Sequence, residues 1–212
     1  MFAYCGNNPV SRCDPSGQLW LLATIATVVV GTVTSLYYKT KVNATISDHA
    51  DNDPDKTTFN KIINDQNGAT GNDFRYGLYS AEYNSCEVIA VHNAKVLKGI
   101  DSSLSGTMRT FQSSYAMIGF GTLGSDPNAI GRVLSREGIE YCEVSNPANM
   151  TLYGTYIMSF WNRNTIFGGL HTIAVSYNGT EYTAYNLKGN GRTYSINLSD
   201  YKDTFICGYY LF

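Results

Sequence analysis

The stretch that most constrains this chain runs from Gly168 to Asn186, where two alternating β-rich segments flank Asn178-Gly179. Asn-Gly between such segments is a strong short-range signal for a hairpin with a two-residue type I′ turn. That turn sets Tyr177 opposite Thr180 and, counting outward, His171 opposite Asn186. Directly opposed residues share a face of the sheet, so the Asn186 amide is expected to accept an imidazole N–H from His171 and fix its tautomer. A histidine held this way is a general base in search of a nucleophile, and a cysteine at a helix start would complete a Cys-His-Asn set.

Cys86 is that cysteine. Tyr83-Asn84-Ser85-Cys86 leads into Glu87 to Gly99, with Asn84 or Ser85 as the helix cap and Gly99 as the stop. Val88, Ile89, Val91, Val96 and Leu97 supply a wide apolar stripe, as a central helix requires. Cys86 falls in the first turn, where helix N–H groups favour a thiolate. His92, further along, is expected to be a packed or hydrogen-bonded histidine. A second helix is marked by Ser125 or Asp126 as cap, Pro127 in the first turn, apolar Ile130, Val133 and Leu134, and Gly138 as stop. Strands are expected over 139–144, 155–161, the hairpin, 193–198 and 204–211. Helices followed by a run of antiparallel strands predict an α+β fold.

Composition narrows the functional classes. Fifteen Lys and Arg against seventeen Asp and Glu leave no basic excess, which speaks against a nucleic-acid partner. The five cysteines (Cys5, Cys13, Cys86, Cys142, Cys207) form no C-x-x-C pair and no zinc spacing. Cys142 and Cys207 lie in strand-like runs and are expected to be buried. Asp51, Asp53 and Asp55 imitate the start of a calcium loop, but Lys56 stands where the sharp-turn glycine belongs and Ile62 where the bidentate Glu belongs. No metal or cofactor is expected.

The N-terminal part reads in three pieces. Residues 1–17 are dense in turn formers. Residues 18–41 contain the uncharged run Leu19 to Tyr38, long enough for a membrane span and equally readable as a buried helix or a pre-toxin segment packed in a shell. Residues 42–73 are polar and read as a linker with one short helix, with a folded domain over 74–212.

Two resemblances add to this. Tyr4 to Val10 followed by Asp14-Pro15-Ser16-Gly17 resembles the end of the core domain of Rhs (YD-repeat) proteins, where a shell gives way to a variable C-terminal toxin. It implies secretion or delivery into a competing cell, self-cleavage near the Asp-Pro-Ser-Gly boundary, and a cognate immunity protein. Ser85 to Ala90 with Asn93-Ala94, Gly124 to Ile130, Gly168 to Val175 and Tyr185-Asn186 resemble papain-like cysteine peptidases of the bacteriocin-leader processing branch. That likeness implies a papain-like fold, a central helix packed on an antiparallel sheet, and a protein substrate. It assigns Cys86 as nucleophile, His171 as base and Asn186 as orienter. The family's Gln ahead of the cysteine has no counterpart between Phe74 and Cys86; Asn84 is the nearest amide able to serve as oxyanion donor. The same Cys-His-amide geometry also serves deamidation and acyl transfer.

Overall fold

The computed structural model describes residues 55–66, 68, 75–76, 79–118, 124–162 and 169–212. The readings made for residues 1–17 and for Leu19 to Tyr38 therefore lie outside the described residues. The helices are α1 (Asp55–Thr58), α2 (Ala81–Asn84), α3 (Cys86–Leu97), α4 (Leu104–Ser113) and α5 (Ile130–Arg136). A two-stranded ladder joins β1 (Arg75–Tyr76) to β2 (Tyr79–Ser80). The remaining strands are β3 (Tyr141–Val144), β4 (Gly154–Asn162), β5 (Gly169–Tyr177), β6 (Tyr182–Tyr185), β7 (Tyr194–Ile196) and β8 (Phe205–Leu211). They form one antiparallel sheet in the order β3-β8-β4-β5-β6-β7. The fold is α+β, as expected, with helices packed on a six-stranded antiparallel sheet.

Both faces of the central strands are covered. Alternation along β4 and β5 sends Ile157, Ser159, Thr172 and Ala174 towards α3. It sends Tyr156, Met158, Phe160, Ile173 and Val175 into a second core with Met150 and Ala184. Burial on both sides explains why β4 reads as an almost unbroken apolar run rather than an alternating one.

Helix α3 is the centre of the other layer, and its residues from Cys86 to Lys95 are all buried. The expected stripe is there: Val88, Ile89 and Val91 are fully enclosed, while Val96 and Leu97 are half-buried. Gly99 ends the helix at φ +71°, the left-handed conformation a glycine adopts without strain. The start is where expected, with a different capping chemistry. Ser85 holds the N-cap position, but its side chain makes no capping bond: α2 precedes the helix directly and the Ser85 hydroxyl donates back to the Ala81 carbonyl. The second predicted helix is present as a 3-10 turn, Pro127–Ala129, running into α5. Asp126 Oδ1 accepts from Asn128 N at 2.9 Å at its start, and Gly138 follows its end at φ +72°.

Two expectations are corrected. Cys142 is exposed and Cys207 only partly buried, and both are free thiols. The burial pattern of β3 encloses only Val144, so membership of a strand did not imply burial. Part of the stretch read as linker, residues 60–66, is tied to the helices and the sheet by hydrogen bonds. Asn93, fully buried on α3, accepts Ile63 N–H at 2.8 Å and donates to Ile63 O at 2.7 Å. His92 Nε2 lies 2.9 Å from Lys61 O and Nδ1 2.8 Å from Ser102 Oγ, a satisfied buried histidine as expected. Among the described residues no helix is long and apolar enough to cross a membrane.

The bracket on Ile63 gives a first prediction. Asn93→Ala leaves a buried N–H and a buried C=O without partners, at about 1–3 kcal/mol each. The variant should unfold at lower urea and be cut by protease within 58–66 before elsewhere. An unchanged urea midpoint would mean that this stretch adds nothing to stability.

Candidate functional site

The hairpin forms, with a different register. Tyr177 pairs with Tyr182, not Thr180, and the loop between them has four residues. Asn178 builds it with its side chain: Oδ1 accepts from Thr180 N, Thr180 Oγ1 and Glu181 N, all at 2.8–2.9 Å. A polar side chain that mimics a turn carbonyl competes with the two-residue turn. The Tyr177 and Tyr182 rings, stacked at 4.1 Å, favour the observed pairing.

His171 is therefore not opposite Asn186. Its cross-strand neighbour is Phe160 on β4, whose ring meets the imidazole edge-on with centroids 5.7 Å apart. Asn186 has left the sheet, at φ +61°, just after β6 ends. The two residues still meet, through the backbone: His171 Nε2 lies 2.9 Å from Asn186 O. A carbonyl can only accept, so Nε2 carries the proton and Nδ1 is the basic nitrogen. Burial lowers the His171 pKa below the ordinary value, against the opposing pull of the Asn186 and Leu187 backbones. The ring is neutral near pH 7, the form a general base needs.

The side chain of Asn186 does something else. Its Nδ2 donates to Gln66 Oε1 at 3.2 Å, and Gln66 Nε2 donates to the carbonyls of Ala81 and Glu82. Asn186 N donates to Asn64 Oδ1 at 3.0 Å. The residue thus ties the hairpin to the 58–66 stretch and, through Gln66, to α2 just ahead of Cys86. Gln66 was missed because it lies in the stretch read as linker. A lone Gln twenty positions before the cysteine carries no local pattern.

Asn84 is buried, and its Nδ2 donates to Tyr76 O at 2.6 Å. That bond uses one of the two amide hydrogens. The first backbone N–H groups of α3 are further donors close to Cys86, since helix starts leave them without intrahelical partners.

Cys86 sits in the first turn of α3 as expected, but its chemistry is not the expected one. Burial pushes its thiol well above the ordinary value, and the Glu87 carboxyl pushes it further. Backbone contacts with Thr172 and Glu87 act the other way. Loss of solvation for a buried thiolate outweighs the favourable field of the helix start. Cys86 touches the backbone of Thr172, the residue after His171, but no hydrogen bond joins Cys86 to His171. Thr172 faces α3, with its Oγ1 2.9 Å from Ser159 Oγ, whereas His171 faces the Phe160 side. The structure thus brings His171 to the Asn186 backbone and Cys86 to strand β5 one residue away.

Glu87 completes the cluster. It is only 2% exposed, and burial raises its pKa to about 7. Its carboxyl interacts with the Cys86 thiol, the Thr172 side chain and the Ser125 backbone. No group of three or more metal-ligating side chains occurs among the described residues. On the His171 side of the sheet a cleft of about 430 Å³ opens between Phe160, Trp161, Leu187 and Tyr201.

Among solved structures, the chain is similar to the peptidase domain of Streptococcus ComA, a bi-functional ABC transporter involved in a quorum-sensing pathway. The TM-score is 0.48 at 10% identity, over 61% of this chain and 91% of that one. No protein-family model matches the chain, and no curated protein matches it.

Glu87 makes stability depend on pH. A carboxyl that holds its proton to about pH 7 when folded, against 4.5 ordinarily, contributes fully below about pH 4.5. That contribution is lost as pH rises through 7. At about 1.4 kcal/mol per pK unit it amounts to roughly 3 kcal/mol. Glu87→Gln, which stays neutral, should gain about that much relative to wild type between pH 5 and pH 8 in urea unfolding. A gap that does not change with pH would contradict the buried, proton-holding carboxyl.

Proposed function

We propose that the domain is a papain-like thiol enzyme acting as a cysteine peptidase on a protein substrate, and that it forms the toxic tip of an Rhs-type effector. The observation that carries this reading is the convergence on strand β5. A cysteine in the first turn of the sheet-packed helix touches the Thr172 backbone. The residue before Thr172 is a neutral histidine whose Nε2–H is held by the Asn186 carbonyl. In this reading Cys86 is the nucleophile, His171 the base through Nδ1, and Asn186 the residue that fixes the imidazole. Backbone N–H groups at the start of α3 receive the oxyanion.

The sulfur attacks a carbonyl carbon and forms a thioester, and water or another acceptor then releases it. Hydrolysis of a peptide bond is the first choice. Deamidation or acyl transfer would use the same intermediate. The setting inferred from residues 1–17 is delivery into a competing cell, with an immunity protein that blocks the site in the producer. Leu19 to Tyr38 would then provide a membrane contact during entry.

Expression of the full chain in a susceptible bacterium tests the proposal. Wild type should stop growth and create new protein N-termini that are absent with Cys86→Ala or His171→Ala, each variant remaining folded. Growth arrest that survives Cys86→Ala but disappears when charges interrupt Leu19 to Tyr38 would instead favour a membrane-acting toxin.

A further inference from the structure

A run of ring contacts joins His171 to the cleft of about 430 Å³ on its side of the sheet. The imidazole meets Phe160 with centroids 5.7 Å apart, and Phe160 in turn meets Tyr201 at 4.8 Å, both edge-on. Leu187, next to the residue whose carbonyl holds His171, lines the cleft as well. Two carboxylates, Asp200 and Asp203, stand in the same lining. We propose that this cleft is a specificity subsite of the peptidase, which holds a cationic side chain of the substrate, arginine above all, close to the scissile bond. This deepens the thiol-enzyme reading and rests on it.

The walls of the cleft are fastened to one another. The register of β4 on β8 shifts between Ser159 and Phe160, with Ile206 as the extra residue on β8. A bulge of this kind bends the strand pair and re-aims the side chains beside it. Just beyond it, Trp161 N–H donates to Thr204 O at 2.8 Å, and Thr204 N and Oγ1 donate to Tyr201 O at 3.0 and 3.2 Å. The 3-10 turn Leu198–Tyr201 is started by Asn197, whose Oδ1 accepts from Ser199 N at 3.1 Å. The acidic turn is therefore tied by its backbone to the strand bearing Phe160, and a guest meets a site that costs little to order. The volume falls within the roughly 300–1,000 Å³ of ligand sites.

Charge selects the guest. Among the described residues of the lining the cation is Lys188, and its Nζ lies over the ring of Tyr194, outside the lining, at 4.7 Å from the centroid. Lys202, between the two aspartates in sequence, is exposed and does not line the cleft. Asp200 meets Ser199 Oγ at 3.5 Å, which is long for a hydrogen bond. Its charge also acts on Tyr201, whose pKa is raised by burial first and by Asp200 second, so the negative field reaches the aromatic wall. An acidic guest would meet two like charges, and an apolar one would cover carboxylates without pairing them. A guanidinium suits both parts of the lining, since its plane stacks on aromatic rings while its N–H fork binds carboxylates. A lysine ammonium brings the charge without the flat stack and ranks second.

The test uses blocked tripeptide chloromethyl ketones, which alkylate a reactive cysteine at the point where a scissile carbonyl would sit. Each carries arginine, or its uncharged isostere citrulline, at one of the three positions, with glycine at the others. Labelling of each cysteine in the full chain is read by mass spectrometry, with exposed Cys142 as reference. At one position the arginine reagent should label Cys86 about tenfold or more faster than the citrulline reagent. That ratio, measured within each variant, should fall towards one in the Asp200→Asn, Asp203→Asn double variant and part of the way in each single variant. It should be kept in Glu181→Gln, which removes a charge from the hairpin loop. Equal rates for the two reagents at every position, with Cys86 still labelled faster than Cys142, overturn the subsite and leave the thiol enzyme standing. A ratio that survives the double variant also overturns it. Cys86 labelled no faster than Cys142 by every reagent would bring down the thiol-enzyme reading and this proposal together.

Discussion

A helix enclosed on every side must satisfy its polar side chains within the protein, and much of this fold follows from how α3 does so. Along one helix, Glu87, His92, Asn93 and Lys95 are all buried. Buried groups of this kind are costly unless paired. Asn93 and His92 recruit the backbone of 61–63. Lys95 forms a 2.6 Å ion pair with Glu137 beyond the end of α5. Glu87 draws in the Ser125 turn and strand β5. Each polar residue fixes a different neighbour around the helix, so a chain segment with little apolar content of its own is held in the core.

Asn186 plays the matching part on the sheet. Where β6 ends it turns into a left-handed conformation and spends its N–H on Asn64, its carbonyl on His171 and its amide nitrogen on Gln66. Gln66 then reaches the carbonyls ahead of the cysteine helix. The tautomer of His171, the position of the 58–66 stretch and the approach to Cys86 therefore share one residue. Disturbing Asn186 would move all three together, so a kinetic effect of its mutation reports on the whole corner and not on one hydrogen bond.

The elements were legible where local physics suffices. The end of α3 at Gly99, the turn at Asp126-Pro127 and the alternating strands are set by neighbours a few residues apart, and each lies within a residue or two of its expected place. Errors came where distant parts compete. The hairpin was assigned a two-residue turn because Asn-Gly favours one, but Asn178 could also fold its own side chain over the loop while the two tyrosines stacked. Cys142 was expected inside because it lies in a strand. Burial in a strand depends on which face is covered, and that is a property of the layers. Gln66 was invisible because a single polar residue in a polar stretch has no periodicity to betray it.

By itself the sequence determined the α+β class, the helix bearing Cys86 in its first turn and the strand bearing His171. These follow from hydrophobic period, cap residues and turn formers, which act within a few positions along the chain. Tertiary structure alone decided that His171 is held by a backbone carbonyl, that Asn84 donates to the Tyr76 carbonyl, and that the Glu87 carboxyl is enclosed in the core beside the cysteine. Those outcomes depend on which buried donors and acceptors meet once water is excluded, and a chain settles that only when its layers close.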